Sequence, residues 1–536
     1  MGAAKTSQSH PLQINPVEIR DGSGLIGLTF CPGKKHQGLY SGAWNRDLRT
    51  DLQAIQSFGA KALVTLMESE ELEEVNVPVG LLAAWAREFG IEWHHLPVKD
   101  VHTPDERFED LWTYSGLRLR SMLARGEKVV IHCRGGLGRT GTVAGRLLVE
   151  FGDEPETAIP KIRAARPGSI ETGAQEEYVR ACKPIAFARV ERSQEERALA
   201  CLLGGAIGDA LGYEVEFRNL REIRERFGEG GIKTPVPHNG KLIVSDDTQM
   251  TLFTLEGLLL SLKDRATWHE SCTSSIRNAY LDWFATQRIP SEHSNRNSLG
   301  WLVHQEEMRA QRAPGTTCLA ALSSGGQGTM GKPINDRKGC GGAMRVAPIG
   351  LSGPTGEPDA VFRLAAEAAA LTHGHPSGYL SAGMVATIVR LLIDGAHLEP
   401  MKGGQHESGA IQECCWILTS YPGHEETLAA VNRARAIAAE GAKDHAAAVE
   451  RLGAGWVGEE ALAIALYSVL SANSFVEAVS IAANHSGDSD STASIAGQLW
   501  GAMNGLGGMP NEWIMALDVL RPLLHLSRQW VLSSCR

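Results

Sequence analysis

One stretch of this chain places a cysteine, a run of glycines and an arginine in close succession. Cys133 opens the turn Arg134-Gly135-Gly136-Leu137-Gly138, and Arg139 closes it. An apolar run at 128–131 precedes the turn and predicts a buried strand, whereas 142–150 has helical apolar spacing. Backbone N–H groups of such a turn can converge on a tetrahedral oxyanion, helped by the positive end of the following helix. Residues 134–138 are therefore predicted to bind phosphate.

The residues at the two ends of this turn could carry out chemistry on that phosphate. The local field favours the thiolate of Cys133, which would make its sulfur a nucleophile beneath the phosphorus. Arg139 can bond two phosphate oxygens at once and stabilise the charge that spreads in the transition state. The alternative is a purely structural role, in which Cys133 is a buried residue before an ordinary strand–helix turn.

The turn also contains Gly136-x-Gly138-x-x-Gly141, the glycine pattern of dinucleotide-binding turns. That pattern needs an acidic residue about 20 residues further on, to bind the ribose hydroxyls. Position 161 is Lys, and a second match at Gly326, Gly328 and Gly331 occurs in a chain with 59 glycines. We therefore reject a dinucleotide site.

The motif His132-Cys133, five further residues, then Arg139-Thr140 resembles the loop of the cysteine-dependent protein tyrosine and dual-specificity phosphatases. The segments 46–67 and 166–172, followed by Gln175, are similar to the kinase-associated phosphatase branch. The resemblance implies an α/β domain that needs no metal or cofactor.

The same resemblance implies a general acid upstream of the cysteine and a hydroxyl that assists the second step. In the segment 96–105 the family pattern assigns the acid to Asp100, and Asp105 is the alternative unless it caps the following helix. Thr140 would help to expel Cys133 when water attacks the phosphocysteine.

Length and composition limit the number of domains and the kinds of partner that the protein can have. A chain of 536 residues with 43% hydrophobic and 21% charged residues is expected to form two or more soluble globular domains. The formal net charge of −10 gives no strong nucleic-acid-binding signal. Ten cysteines without a CxxC pair indicate neither a disulfide framework nor a zinc cluster. We found no apolar run long enough to span a membrane, so no membrane association and a cytoplasmic location are expected.

The pattern of apolar residues along the chain changes near residue 190. Before it, helical patterns at 44–58, 81–89 and 108–123 alternate with strand patterns at 62–67, 91–98 and 128–132. This predicts an α/β domain, residues 1–189, with a central, mainly parallel sheet flanked by helices. Residues 190–536 are predicted to be all-α, on the strength of Ala/Leu-rich amphipathic segments at 246–262, 358–371, 381–395, 426–440, 458–472 and 491–505.

Two acidic motifs stand at the starts of helical segments in this second part. They are Ser245-Asp246-Asp247-Thr248 and Asp488-Ser489-Asp490-Ser491-Thr492. Helix capping explains each motif alone. Together, four carboxylates and two hydroxyls would repel one another unless a cation lay between them, and such hard oxygen ligands suit two Mg²⁺ or Mn²⁺ ions.

These motifs resemble those of the ADP-ribosylglycohydrolases, of which dinitrogenase-reductase-activating glycohydrolase is typical. The resemblance spans about 197–515 and includes, in the family's order, the segments 204–212, 215–217, 245–248, 339–345, 371–373, 453–457 and 487–492. It implies a helical bundle whose two metal ions hold the hydroxyls of the distal ribose. The implied metal ligands are Ser245, Asp246, Asp247, Asp488, Asp490 and Ser491.

The resemblance also assigns roles around the metals. Glu216 matches the family's acidic residue, which would transfer a proton or gate metal access, and Glu214 is its competitor. The run Gly339-Cys340-Gly341-Gly342 would approach the diphosphate, and His373 would line the nucleotide cleft. Cys340 stands where some family members carry Asn.

The two halves together predict a bifunctional hydrolase acting on phosphorylated and on ADP-ribosylated substrates. One half would be a dual-specificity-type protein phosphatase and the other a metal-dependent ADP-ribosylglycohydrolase. The alternative is that only one domain is catalytic and the other is a binding or regulatory module. Arginine, serine, nucleic acid and small molecules all remain open as the carrier of the ADP-ribose.

Overall fold

The structure is a computed structural model, which describes residues 4–19, 24–38, 42–185, 193–262, 268–287, 300–351, 357–400 and 408–534. The chain divides into two compact units, Met1–Glu191 and Arg192–Arg536. The boundary predicted near residue 190 lies outside the described residues.

A five-stranded sheet in the order β1-β2-β7-β5-β6 forms the centre of the N-terminal unit. β1 is antiparallel to β2, and every other pair of neighbours is parallel. A separate two-stranded sheet pairs β3 with β4. The strands are β1 Asn15–Glu18, β2 Leu25–Phe30, β3 Lys35–Gly38, β4 Gly42–Asn45, β5 Ala60–Thr65, β6 Glu92–His95 and β7 Lys128–Cys133.

Helices cover both faces of this sheet, as the alternation of side chains along β7 shows. Val129 and Ile131 enter a core that includes Leu147 of α5, whereas Val130 enters the opposite core with Leu52 of α1. The predicted α/β fold is confirmed. The helices are α1 Leu48–Phe58, α2 Ser69–Glu74, α3 Val79–Glu88, α4 Glu106–Ala124, α5 Gly138–Glu150, α6 Pro155–Ala165 and α7 Gly173–Ala181.

The first helix starts later than the sequence pattern predicts. Trp44 lies in β4, and the helix begins at Leu48 because the Asp47 side chain accepts a hydrogen bond from the Thr50 N–H at 2.8 Å. The strands before it were not predicted, since each is short and interrupted by turn residues.

The C-terminal unit is helical, and its described residues contain no β-strand, so the predicted all-α class is confirmed. All six predicted helical segments correspond to helices. The helices are α8 Gln194–Gly212, α9 Leu220–Phe227, α10 Asp246–Ser261, α11 Trp268–Thr286, α12 Thr316–Ser323, α13 Ala347–Leu351, α14 Pro358–Ala370, α15 Pro376–Ile393, α16 Ala410–Leu418, α17 Glu425–Glu440, α18 His445–Glu450, α19 Gly458–Ser471, α20 Phe475–Ala483, α21 Ser489–Asn504, α22 Asn511–Ala516 and α23 Leu520–Ser534.

Among the described residues, one helix, α15, has the length and composition of a membrane span. Its mean hydropathy is 1.3 over 18 residues, which the sequence analysis overlooked because glycine, serine and alanine interrupt the large apolar residues. It is 89% buried inside the unit, as a core helix would be.

Two helices of this unit touch backbone to backbone. A Cβ on Gly208 of α8 would lie 2.0 Å from the carbonyl oxygen of Ala493 in α21, and one on Gly212 would lie 2.1 Å from that of Ser489. Only glycine allows so close an approach. The contact brings the end of α8 against the start of α21, where one of the two acidic motifs lies.

Candidate functional sites

The predicted phosphate loop joins the end of β7 to the start of α5. Cys133 is the last residue of the strand and is 4% exposed. The Gly136 N–H points at its sulfur, with 3.2 Å between nitrogen and Sγ. Gly136 has φ +74°, and a Cβ there would lie 2.3 Å from the Thr29 carbonyl oxygen, so the loop requires glycine at this position. One backbone N–H of the loop is therefore directed at the sulfur.

Arg139 connects this loop to α2 and to the segment that follows β6. Its guanidinium forms a two-pronged ion pair with Glu71, with Nη–Oε distances of 2.6 and 3.0 Å. Nη1 also donates to the Val98 carbonyl oxygen at 2.9 Å. Arg139 is 2% exposed, so these partners fix its orientation. Sequence analysis missed Glu71, which has no motif of its own.

The two candidate acids have different surroundings. Asp100 Oδ1 lies 2.8 Å from Arg139 Nη2, and the Asp100 side chain is 64% exposed. Asp105 is the N-cap of α4, where its side chain accepts a hydrogen bond from the Phe108 N–H at 2.9 Å. The structure thus places Asp100 at the guanidinium of the phosphate loop and gives Asp105 a structural partner.

Two further residues of the loop region are buried. His132 Nε2 is 2.7 Å from Thr65 Oγ1, and burial lowers the pKa of this imidazole to about 3, so the ring is neutral. Thr140 is fully buried, and its hydroxyl has no hydrogen-bond partner in the described part of the chain. That hydroxyl is therefore free to donate to another group.

Two cations hold the carbonyl side of the phosphate loop. Arg166 Nη2 donates to the Gly135 carbonyl oxygen at 3.0 Å, and Lys34 Nζ lies 3.4 Å from that of Arg134. These contacts fix the orientation of two peptide groups of the loop. Burial lowers the pKa of Lys34 to about 8.

In the C-terminal unit, α8 contacts the starts of both α10 and α21, which brings the two predicted acidic motifs together. The four aspartates are each at most 5% exposed and interact electrostatically with one another: Asp246, Asp247, Asp488 and Asp490. Burial, followed by these mutual interactions, raises the pKa of Asp246 to about 8 and those of Asp247 and Asp490 well above their usual range. Asp247 Oδ2 has no hydrogen-bond partner among the described residues.

A donor set of buried carboxylates with an unpartnered oxygen fits a hard divalent cation. Ser245 caps α10, since its Oγ accepts a hydrogen bond from the Asp247 N–H at 3.2 Å. The cap of α21 is Asp488, whose side chain accepts from the Ser491 N–H. Within the described ranges, no three His, Cys, Asp or Glu side chains already stand in metal-binding geometry. A cation would therefore have to draw these oxygens together.

The two candidate glutamates, Glu216 and Glu214, have different partners. Glu216 interacts electrostatically with Asp490, and burial with the charges of Asp488 and Asp246 raises the pKa of Glu216 to about 9. Glu214 instead pairs with Arg226 and, at 2.9 Å, with His238. The structure thus brings Glu216 to the aspartates and turns Glu214 towards other partners.

The glycine-rich segment forms a short 3₁₀ turn, Cys340–Gly342, beside the aspartates. Cys340 Sγ lies 2.7 Å from Asp488 Oδ2. His373 is 1% exposed and lies behind the turn, since a Cβ on Gly341 would be 3.1 Å from its ring. Burial and the nearby Arg345 lower the pKa of His373 to about 3. It therefore supports the turn as a neutral ring, and its predicted place on the nucleotide cleft stays a prediction.

Asp209 belongs to this site although sequence analysis gave it no role. It is fully buried at the end of α8 and accepts hydrogen bonds from the N–H groups of Ser245 and Thr248, at 2.8 and 3.0 Å. It interacts electrostatically with Asp246 and Asp247. The sequence signal was the glycine spacing before it, which marks a helix that packs closely.

The profile of a protein family described as ADP-ribosylglycohydrolase matches residues 191–534. The chain belongs to this family. A second profile, described as Swiss Army Knife protein, DSP-PTPase phosphatase domain, matches residues 42–179. Both domains thus belong to hydrolase families, as the sequence motifs predicted.

Individual relatives match either the phosphatase part or the glycohydrolase part of the chain. Cyclin-dependent kinase inhibitor 3 of Rattus norvegicus is 32% identical over 174 residues, which cover 32% of this chain and 77% of that protein. ADP-ribosyl-[dinitrogen reductase] glycohydrolase of Rhodospirillum rubrum is 25% identical over 332 residues, covering 61% of this chain and 92% of that protein.

Two solved structures are similar to the separate parts. A kinase-associated phosphatase whose catalytic-site cysteine is substituted by serine is 28% identical and covers 32% of this chain and 92% of that chain, with a TM-score of 0.28. An ADP-ribosylglycohydrolase-related protein complex is 24% identical and covers 64% of this chain and 99% of that chain, with a TM-score of 0.41.

Proposed function

We propose that the C-terminal unit hydrolyses an ADP-ribosyl linkage with the help of two divalent ions, Mg²⁺ or Mn²⁺. The observation that carries this proposal is the set of buried aspartates on α10 and α21, with Asp247 Oδ2 unpartnered. Family membership supports it, because the Rhodospirillum rubrum relative is named for removing ADP-ribose from a protein. The predicted ligands are the four aspartates with Ser245 and Ser491.

The residues around the aspartates have separate tasks in this proposal. Bound ions would orient the distal ribose hydroxyls and polarise the sugar or a water molecule. Glu216 is the candidate for holding or passing a proton, because one of its oxygens has no hydrogen-bond partner among the described residues and burial raises its pKa. The turn Gly339–Gly342 lets backbone approach the diphosphate.

The test is release of ADP-ribose from ADP-ribosylated substrates by the full-length protein. We expect release to require Mg²⁺ or Mn²⁺ and to vanish in Asp246→Asn. Asp394→Asn, which changes a surface carboxylate paired with Arg390, is the matched control and should keep full activity. Release without any divalent ion would contradict the two-metal proposal.

We further propose that the N-terminal unit hydrolyses phosphomonoesters through a cysteinyl-phosphate. Cys133 Sγ attacks the phosphorus while Asp100 gives its proton to the departing oxygen. Asp100 then takes a proton from water, whose oxygen attacks the phosphorus and breaks the sulfur–phosphorus bond. The unpartnered Thr140 hydroxyl can stabilise the departing thiolate. What supports this proposal is the placement of Asp100 against Arg139 at the phosphate loop.

Hydrolysis of p-nitrophenyl phosphate by the full-length protein tests this second activity. Cys133→Ser should abolish it without affecting ADP-ribose release. Cys182→Ser, which removes a partly buried thiol of the same unit, should leave it unchanged. If the wild-type protein does not hydrolyse phosphomonoesters while it releases ADP-ribose, the N-terminal unit is a binding module instead.

The cysteines support a further proposal about the compartment. The nine described cysteines are all free thiols, and a thiolate nucleophile is best preserved where disulfides are reduced. We therefore place the protein in a reducing compartment such as the cytoplasm. Loss of phosphatase activity on mild oxidation, restored by dithiothreitol, is the expected result.

A further inference from the structure

A thiol lies among the aspartates of the C-terminal unit. Cys340 Sγ is 2.7 Å from Asp488 Oδ2, and Ser491 Oγ lies 3.6 Å from the same sulfur. Cys340 is 9% exposed and Asp488 5%. The sulfur therefore occupies the same enclosed space as two residues assigned to metal binding, rather than only lining a path for the diphosphate.

An unpartnered oxygen belongs to the same group. Asp247 interacts electrostatically with both Cys340 and Asp488. Its Oδ2 has no hydrogen-bond partner in the described part of the chain, although the residue is only 2% exposed. A buried carboxylate oxygen without a donor points to a cation as its partner.

We propose that Cys340 binds one of the metal ions directly, together with Asp488 and Asp247, and that this position prefers a thiophilic divalent ion such as Zn²⁺ over Mg²⁺. This inference rests on the proposed metal site, because it concerns the same aspartates. Mg²⁺ takes oxygen ligands almost exclusively, whereas a thiolate favours Zn²⁺ and Cd²⁺.

Metal binding at Cys340 exchanges the thiol proton for the metal ion and changes no oxidation state. The Cys340 thiol loses its proton to solvent as the sulfur–metal bond forms. Its hydrogen bond to Asp488 breaks at the same time, which frees Asp488 Oδ2 for the ion. Metal uptake at this position should therefore release a proton from the thiol.

Ultraviolet absorption on titration with Cd²⁺ detects a sulfur–metal bond directly. The titration uses the full-length protein with Cys133→Ser, which removes the other reactive thiol. We expect a thiolate-to-Cd²⁺ absorption band that is lost in Cys340→Ser and in Cys340→Asn. It should persist in Cys318→Ser, since Cys318 is a buried thiol that accepts a hydrogen bond from Arg345 at 3.2 Å and, among the described residues, has no hydrogen bond with a carboxylate.

Metal affinities separate this inference from the function on which it rests. Zn²⁺ affinity should fall about 10- to 100-fold or more in both Cys340 variants, since changing groups that merely support a ligand already costs that much. Mn²⁺ affinity, followed by electron paramagnetic resonance, should change little, which also shows that the variants are folded. An absorption band or a Zn²⁺ affinity that is unaffected in the Cys340 variants overturns the ligand assignment. Failure of every form to bind Mn²⁺, Zn²⁺ or Cd²⁺ contradicts the metal site itself.

Discussion

Asp209 Oδ1 accepts a hydrogen bond from the backbone N–H of Ser245 at 2.8 Å, so a carboxylate at the end of α8 holds the start of α10. Its other oxygen accepts from the N–H and the hydroxyl of Thr248. Burial raises the pKa of Asp209 to about 6, although these hydrogen bonds oppose the rise. The two aspartates between Ser245 and Thr248 are therefore fixed relative to α8, and Asp209 is a positioning residue.

Asp209→Asn should weaken metal binding without removing a metal ligand. An amide has one acceptor oxygen, so its NH₂ group would face the N–H of Thr248 and leave that donor unpaired. We expect a loss of about 1–3 kcal/mol in the stability of the C-terminal unit, together with lower Mn²⁺ affinity. Thermal unfolding and Mn²⁺ titration measure the two effects. The surface variant Asp394→Asn is the control, and unchanged Mn²⁺ affinity in Asp209→Asn would argue against a positioning role.

The phosphate loop was predictable because its chemistry is local. Cys133, the glycines and Arg139 are consecutive in sequence, and their types restrict what the turn can bind. Asp209 and Glu71 were not predictable in the same way. Each acts on a residue far along the chain, and only the packing of helices brings the partners together.

The two candidate acids of the N-terminal unit should respond differently to substitution. Asp100→Asn should lower kcat about 10²- to 10⁴-fold for phosphotyrosine-like substrates, whose leaving oxygen needs a proton. The loss should be smaller for p-nitrophenyl phosphate, since its leaving group is a weaker base. Asp105→Ala should keep kcat and lower stability by about 1 kcal/mol, because it removes the cap of α4. Steady-state kinetics and denaturant unfolding separate the two, and the opposite pattern would assign the acid to Asp105.

The raised pKa values in the C-terminal unit predict how its stability depends on pH. The pKa of Asp246 is about 8 and that of Glu216 about 9, so in the metal-free folded protein both stay protonated after the unfolded chain has lost these protons. Stability of this unit without metal should therefore fall as the pH rises from about 4 to about 9. Divalent ions compete with these protons, so stabilisation by Mn²⁺ should grow over the same interval.

Thermal unfolding at several pH values, with and without Mn²⁺, measures how the stability of the metal-free unit and the stabilisation by Mn²⁺ each change with pH. Asp246→Asn removes one titrating group and should flatten the metal-free slope. Stability that rises with pH in the metal-free protein would show that these carboxyls are not protonated in the folded state.

Secondary structure followed from sequence where segments are long and periodic, as in α10, α14 and α19. The strands β1 to β4 were missed because each contains glycine, proline or asparagine, which leaves no uninterrupted apolar run to recognise. β2 is identified only by its neighbour, because Leu25 to Phe30 pair in register with Lys128 to Cys133. The sheet partner thus supplies the information that the segment itself lacks.

Gly208→Ala should destabilise the C-terminal unit although alanine is the better helix former. The helix itself would gain about 1 kcal/mol. The new Cβ, however, would lie 2.0 Å from the Ala493 carbonyl oxygen, and forcing α8 away from α21 should cost about 1–3 kcal/mol and separate Asp209 and Glu216 from the aspartates of α21. Thermal unfolding and Mn²⁺ titration should therefore both show losses. Gly80→Ala in α3 is the matched control: nothing lies within 4 Å of its Cβ, so the N-terminal unit should gain about 0.5–1 kcal/mol. Full Mn²⁺ affinity in Gly208→Ala would mean that the aspartates assemble without close contact between these two helices.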